Sequence, residues 1–133
     1  MNPVQNLYYA LGEACYAIAK VDGSVQSEES NKLRGILEKE FAKNGKDFDY
    51  AEIIFEILRK DSLDPETAFE WALNHIRVNS HYLSEEMKDH FESVLVAVAE
   101  AFPPATDEEM EMIRKFKRAI RDIKGDPVFT GEK

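Results

Sequence analysis

The chain has 133 residues and a formal net charge of −9 at pH 7, with 44% hydrophobic and 32% charged residues. This length and composition predict one soluble globular domain with its own core. The acidic excess argues against nucleic-acid partners and anionic membrane surfaces, because both require a basic face. No apolar run approaches the length that spans a bilayer, and Glu13 interrupts the first apolar stretch, which makes it a poor signal peptide. We therefore expect a cytoplasmic protein.

Hydrophobic residues in the first half of the chain recur with the helical period. A first helix is predicted with one buried stripe, in which Cys15 is a small core residue: Val4, Leu7, Tyr8, Leu11, Ala14, Cys15, Ile18 and Val21. A second helix is expected to begin after Ser27 as its N-cap and to bury Leu33, Ile36, Leu37 and Phe41. A third is expected to follow Asp49 and to turn five residues inward: Tyr50, Ile53, Ile54, Ile57 and Leu58.

Helix start signals mark the second half. Asp64 followed by Pro65 predicts the start of a fourth helix, and Ser84 can cap a fifth. The fifth contains VLVAVA at 94–99, which is apolar on all sides and is expected to be central. Thr106 and Glu109 form a capping box for a sixth helix.

These elements predict an all-α fold, a compact bundle of about six to seven helices joined by short loops. Residues 1–124 are expected to form the single domain and residues 125–133 a flexible tail. Residues 17–34 and 97–114 align with each other in their alanines, their Glu-Glu pair and their arginine. This similarity predicts two related helical hairpins, each with a small-residue helix, a turn and an acidic helix start.

The stretch AKVDGSVQSEE, residues 19–29, is similar to the second half of a calcium-binding EF-hand loop. When its glycine is aligned with the invariant glycine of that loop, Asp22 and Glu29 occupy ligand positions. The first two ligand positions, however, hold Ile18 and Lys20, which offer an apolar side chain and a cation instead of oxygen ligands. The stretch is therefore not a functional EF-hand loop.

Two interpretations of this corner remain open. In the first, Asp22 and Ser27 hydrogen-bond free backbone groups, and Glu28 and Glu29 form a solvated helix start. In the second, Asp22 and Glu29, with Glu28 nearby, supply carboxylate oxygens to a hard divalent cation that retains several waters.

The run YALGEACYAIAKVDGSVQSEE resembles the first helical hairpin of the TerB-like family, which is associated with tellurite resistance and bacterial stress responses. The resemblance is strongest over residues 7–37 and lies in an Ala-x-x-Asp-Gly turn followed by an acidic pair. It implies an all-helical fold with two related halves. The second half of this chain departs from the pattern, because Phe-Pro-Pro at 102–104 replaces the Asp-Gly region.

In the TerB-like family, acidic residues of the two halves are associated with divalent metal binding. The resemblance therefore implies a site for a cation such as calcium, with Asp22, Glu28 and Glu29 as ligands from the first half. Glu108 and Glu109 are the corresponding acidic residues of the second half.

The sequence predicts a non-enzymatic, TerB-like binding or scaffold module whose partners are other proteins and whose bound cation alters partner affinity. The alternative is a plain helical protein-interaction domain whose acidic corners only cap helices. His75, His81 and His90 do not stand in a zinc-protease or di-iron motif, and Glu86 with His90 is interpreted as a surface pair. No catalytic residue and no organic cofactor are expected.

Overall fold

The computed structural model describes residues 1–21, 28–42, 47–101 and 106–123, with only the backbone of residues 28–30. Its six α-helices are α1 (Pro3–Lys20), α2 (Glu28–Phe41), α3 (Asp49–Asp61), α4 (Pro65–Val78), α5 (Glu85–Ala101) and α6 (Asp107–Arg121), and a short 3-10 helix (Ser80–Tyr82) follows α4. These ranges contain no strand, which confirms the predicted all-α bundle. No described helix is long and apolar enough to cross a bilayer. The predicted tail and the predicted Ser27 cap lie outside the described residues.

The predicted caps of α4 and α5 are confirmed. The side chain of Asp64 accepts a hydrogen bond from the backbone N–H of Thr67 at 3.0 Å, and the hydroxyl of Ser84 accepts one from the N–H of Met87 at 3.1 Å. Asn2 caps α1 through its own capping box, a cap that hydrophobic periodicity does not reveal. Such side-chain oxygens satisfy N–H groups that have no partner within the helix.

Helix α1 is buried on all sides and not only along the one predicted stripe. From Leu7 to Ala19 every side chain is buried except the half-exposed Tyr9. The helix packs against α3, α4, α5 and α6. Its small residues permit this close packing, since a Cβ atom at Gly12 would lie 2.2 Å from the carbonyl oxygen of Ala51 in α3. Gly12 is therefore required where α1 and α3 meet.

Two predicted faces differ from the observed ones. In α3, Ile54 and Leu58 are buried as expected, but Ile53 and Ile57 are 52% and 46% exposed, so the prediction that they face inward is wrong. The buried face of α3 is formed by Ala51, Ile54, Phe55 and Leu58, so it is rotated around the helix relative to the predicted face. In α5, residues 96–97 are half-exposed, so the apolar segment 94–99 is not buried on all sides.

The two segments that align with each other in sequence occupy equivalent places along the chain. The first joins the end of α1 to the start of α2, and the second joins the end of α5 to the start of α6. Within the described ranges, α6 packs against the helix that precedes it, whereas α2 packs mainly against α5 and α3. The second helices of the two segments therefore have different neighbours.

Cys15 lies at the centre of α1 and is fully buried, as the sequence predicts. Burial raises the pKa of its thiol well above the ordinary value, because the charged thiolate is poorly solvated in the core. The thiolate is the reactive form of cysteine, so this side chain is chemically inert in the folded protein.

Candidate functional sites

Glu28, Glu29, Glu108 and Glu109 of the predicted metal site fall at two helix starts. Asp22 lies outside the described residues. Glu28 and Glu29 are the first two residues of α2 by their backbone, and their side chains lie outside the described part of the chain. Glu108 is exposed and Glu109 is buried in the first turn of α6. No group of three or more His, Cys, Asp and Glu side chains among those described is placed to hold a metal ion.

Glu109 forms the capping box that the sequence predicts. The hydroxyl of Thr106 accepts a hydrogen bond from the N–H of Glu109 at 3.2 Å, and the Glu109 carboxylate accepts one from the N–H of Thr106 at 2.9 Å. Both contacts satisfy free backbone groups at the start of α6. The structure therefore gives Glu109 a helix-capping contact and leaves Glu108 beside it at the surface.

A groove of about 360 Å³ lies where the end of α1 meets the starts of α4 and α6, and we refer to it as the acidic groove. It is lined by Val21, Glu66, Phe69, Glu70, Asp107, Glu108, Glu111, Met112 and Lys115. Its five carboxylates belong to exposed residues, whereas Phe69 and Met112 are almost fully buried. The groove thus combines an apolar patch with an excess of negative charge.

One of these carboxylates is already paired. The guanidinium of Arg114 donates a hydrogen bond to Glu111 at 2.9 Å, and this contact lowers the pKa of Glu111 below its ordinary value. Glu66, Glu70, Asp107 and Glu108 are exposed as well, so most of the negative charge of the acidic groove faces solvent. Charge arranged in this way attracts cations and basic side chains from a distance.

A second groove, of about 570 Å³, lies between α1 and α4, and we refer to it as the aromatic groove. It is lined by Met1, Asn6, Tyr9, Glu13, Trp71, Asn74 and His75. In α1 the lining residues Asn6, Tyr9 and Glu13 follow each other at steps of three and four, and in α4 Asn74 and His75 lie three and four residues after Trp71, which places each set on one helix face. Trp71 is the sole tryptophan of the chain and is 45% exposed.

The aromatic groove contains a buried carboxylate. Glu13 is 1% exposed, and its Oε1 lies 2.7 Å from Nδ1 of His75, whose side chain is 42% exposed. Burial raises the pKa of Glu13 above its ordinary value, and the hydrogen bond and charge of His75 partly offset this effect. Burial, together with the nearby charge of Glu13, also raises the pKa of Tyr9.

The second oxygen of Glu13, Oε2, receives no hydrogen bond from the described residues. Oε2 is not fully enclosed by protein atoms, so it is accessible from the groove. Buried carboxylate oxygens normally have hydrogen-bond donors. Glu13 therefore offers one acceptor atom to a ligand in the groove.

Sequence reasoning does not identify this pair, because Glu13 and His75 are far apart in the chain and belong to no known motif. One signal was available. A single acidic residue within an apolar helix is costly to bury, and it predicts a polar partner on a neighbouring helix. The sequence does not reveal which helix supplies that partner.

His90 lies closer to Glu40 than to Glu86, with which the sequence predicts a surface pair. Nε2 of His90 lies 3.9 Å from Glu86, whereas Nδ1 lies 2.6 Å from a carboxylate oxygen of Glu40 in α2. Glu86 is 85% exposed, and the Glu40 contact joins α2 to α5. These observations favour a structural role for His90.

A scan against protein-family models, a search of curated proteins and a search of solved structures each gave no match. The resemblance to the TerB-like family over residues 7–37 accordingly remains a prediction from the sequence.

Proposed function

We propose that this protein is a non-enzymatic binding module that recognises a basic segment of a partner protein in the acidic groove. The observation that carries this proposal is the grouping of five exposed carboxylates around the buried side chains of Phe69 and Met112. Lysine and arginine side chains have a charged head and an apolar stem. Such a residue can place its head among the carboxylates while its stem covers the apolar patch.

The charge of the whole chain supports a basic partner. A net charge of −9 repels acidic proteins and accelerates encounter with basic ones. Individual surface ion pairs contribute little, about 1 kcal/mol or less, so binding depends on several carboxylates acting together. The interaction is therefore expected to weaken as salt is added.

A second candidate ligand is a divalent cation, as the resemblance implies. It is favoured by one observation, that Val21, which directly precedes Asp22 in the chain, lines the same groove as Glu108. The described carboxylates alone do not form a metal-holding group, so this candidate requires ligands from Asp22, Glu28 or Glu29. A bound cation would supply fixed positive charge at the hairpin corner and would compete with a basic partner for Glu108.

Both candidates can be tested by NMR on isotope-labelled, chelator-stripped protein. One titration uses a lysine-rich peptide, and the others use calcium, magnesium and zinc. The peptide is expected to shift the amides of Val21, Glu66, Glu70 and Glu108. The double variant Glu66→Gln/Glu108→Gln should weaken binding far more than the control Glu38→Gln/Glu86→Gln, which removes the same charge from exposed sites outside the groove.

The outcomes separate the two candidates. Equal weakening by the two double variants would mean that only the net charge matters, and it would overturn the proposed groove. Saturable shifts with a metal that are abolished by Asp22→Asn with Glu29→Gln would establish the cation site. Absence of saturation with both peptide and metal would overturn both candidates.

A further inference from the structure

The aromatic groove shares no lining residue with the acidic groove and differs from it in chemistry. We propose that the aromatic groove is a binding site for a primary ammonium group, which would donate a hydrogen bond to the buried carboxylate of Glu13.

The buried carboxylate of Glu13 has a hydrogen-bond partner at only one of its two oxygens among the described residues. Its Oε1 is engaged by His75, but no described residue donates to Oε2, although the side chain is 1% exposed. A buried carboxylate loses its hydration and regains little of it from a single hydrogen bond. A ligand that brings both positive charge and N–H donors would compensate this loss more fully than a neutral ligand.

The walls of the aromatic groove combine aromatic rings with amide side chains. Tyr9 and Trp71 present aromatic rings, which attract cations through their negative faces. Asn6 and Asn74 carry amide oxygens that accept hydrogen bonds. No lysine or arginine lines the groove, and the one histidine among its lining residues, His75, is already in contact with Glu13. The lining therefore favours a cation over an anion.

The Glu13 carboxylate is held on a rigid part of the fold. Glu13 lies on α1, the helix that is buried on all sides, and it directly follows Gly12, where α1 packs closely against α3. The rings of Tyr9 and His75 pack edge to face with their centroids 6.1 Å apart, and this contact joins α1 and α4 within the groove. A site whose carboxylate is fixed in this way requires little ordering when a ligand binds.

Primary ammonium groups occur both on lysine side chains of proteins and on free polyamines. Three probes distinguish these sources, namely Nα-acetyl-lysine amide, spermidine and the Nε-acetylated form of the lysine probe, which lacks the charge. Trp71 is the sole tryptophan and lines the groove, so its fluorescence reports binding without a label. We expect a saturable change with at least one charged probe and none with the acetylated probe.

Substitutions then locate the binding site. Glu13→Gln preserves the shape of the side chain and removes its charge, and it should weaken binding by about tenfold or more, because a charge-assisted hydrogen bond is lost. Glu86→Gln removes the same charge from a side chain that is 85% exposed on α5 and should leave binding unchanged. Equal responses of wild type and Glu13→Gln, or no saturation with either charged probe, would overturn the proposal.

A second pair of variants keeps the test decisive if Glu13→Gln proves unstable. Asn74 is exposed on α4 and lines the groove, so a charge introduced there does not disturb the core. Asn74→Asp should tighten binding of the ammonium probe by about threefold, and Asn74→Lys should weaken it by a similar factor. If both variants bind like wild type, the ammonium group does not occupy this groove and the proposal fails.

Discussion

The two grooves present negative charge in opposite ways. The acidic groove has five carboxylates on exposed residues, and the aromatic groove has one that is 1% exposed. Water and salt screen the exposed carboxylates, whereas a buried charge interacts strongly with whatever lies beside it. The number of charges is therefore a poor guide to their effect. Binding in the acidic groove should tolerate single substitutions and respond to salt, whereas binding in the aromatic groove should depend mainly on Glu13.

The largest expected effect comes from disturbing the helix that carries Glu13. In Gly12→Ala the new Cβ atom would lie 2.2 Å from the carbonyl oxygen of Ala51, so α1 and α3 must move apart. We expect a loss of about 3 kcal/mol in the free energy of unfolding, measured with urea. When the Gly12→Ala variant is titrated with the ammonium probes, the fluorescence of Trp71 should change less than in wild type.

Gly35→Ala in α2 is the matched control for Gly12→Ala. A Cβ atom at Gly35 meets nothing within 4 Å, so the substitution should stabilise the protein by about 0.5–1 kcal/mol through the higher helix propensity of alanine. If the two alanine variants have the same stability, the close contact of α1 with α3 is not the constraint that the structure indicates.

The next effect in size concerns the start of α6, which positions Glu108 in the acidic groove. Thr106→Ala removes one half of the capping box and should cost about 1 kcal/mol in thermal or urea unfolding. Thr106→Ser retains the hydroxyl and should cost much less. Neither variant should change the Trp71 response, since the aromatic groove contains no residue of α6. A changed response would show that the two grooves are coupled.

The pH dependence of stability should have opposite signs in the two grooves. Burial raises the pKa of Glu13 above its ordinary value of 4.5, so at this site the folded protein binds a proton more tightly than the unfolded chain does. The stability contributed by Glu13 is therefore present below that value and is lost as the pH rises through the raised pKa. Relative to Glu13→Gln, wild type should lose stability as the pH rises.

Glu111 provides the comparison in the acidic groove. Its pKa is lowered by the hydrogen bond from Arg114, so its contribution is present above the ordinary value and is lost as the pH falls through the lowered pKa. Relative to Glu111→Gln, wild type should gain stability as the pH rises. Urea unfolding of the three proteins between about pH 3 and pH 7 checks both signs. If the stability differences between wild type and the two variants change with pH in the same direction, the environments assigned to Glu13 and Glu111 are wrong.

The smallest effect is expected from the exposed carboxylates themselves. Glu108→Gln and Glu66→Gln should each change the free energy of unfolding by less than about 0.5 kcal/mol, because neither side chain is buried. Their effect should appear in binding of the lysine-rich peptide, and it should diminish as salt is added. A larger loss of stability would indicate that these residues have structural partners.

Local signals in the sequence predict the helices well. The caps at Asp64, Ser84 and Thr106 are correct because each depends on residues within one turn of the helix start. The inward orientation of Ile53 and Ile57 is wrong because periodicity marks an apolar region of the helix without showing which side of it packs against the neighbouring helices, and in α3 that side includes Ala51 and Phe55.

The candidate sites could be predicted only in part. Glu108 lines a groove that also includes Val21, whereas Asp22 and the side chains of Glu28 and Glu29 lie outside the described residues, so the cation site stays a prediction. The pair of Glu13 and His75 could not be predicted, because it depends on which helix packs beside α1. Contacts between distant residues follow from the arrangement of helices, and the sequence pattern of one helix does not contain that information.

The burial of Cys15 has a kinetic consequence. It is the sole cysteine of the chain. It is buried in α1, which packs against α3, α4, α5 and α6. A thiol reagent in solution can modify it only when the core opens. The labelling rate under native conditions therefore measures how often α1 becomes exposed. Measured over a range of urea concentrations, that rate distinguishes local fluctuation of α1 from unfolding of the whole bundle. The protein thus contains its own probe of how often its centre is exposed.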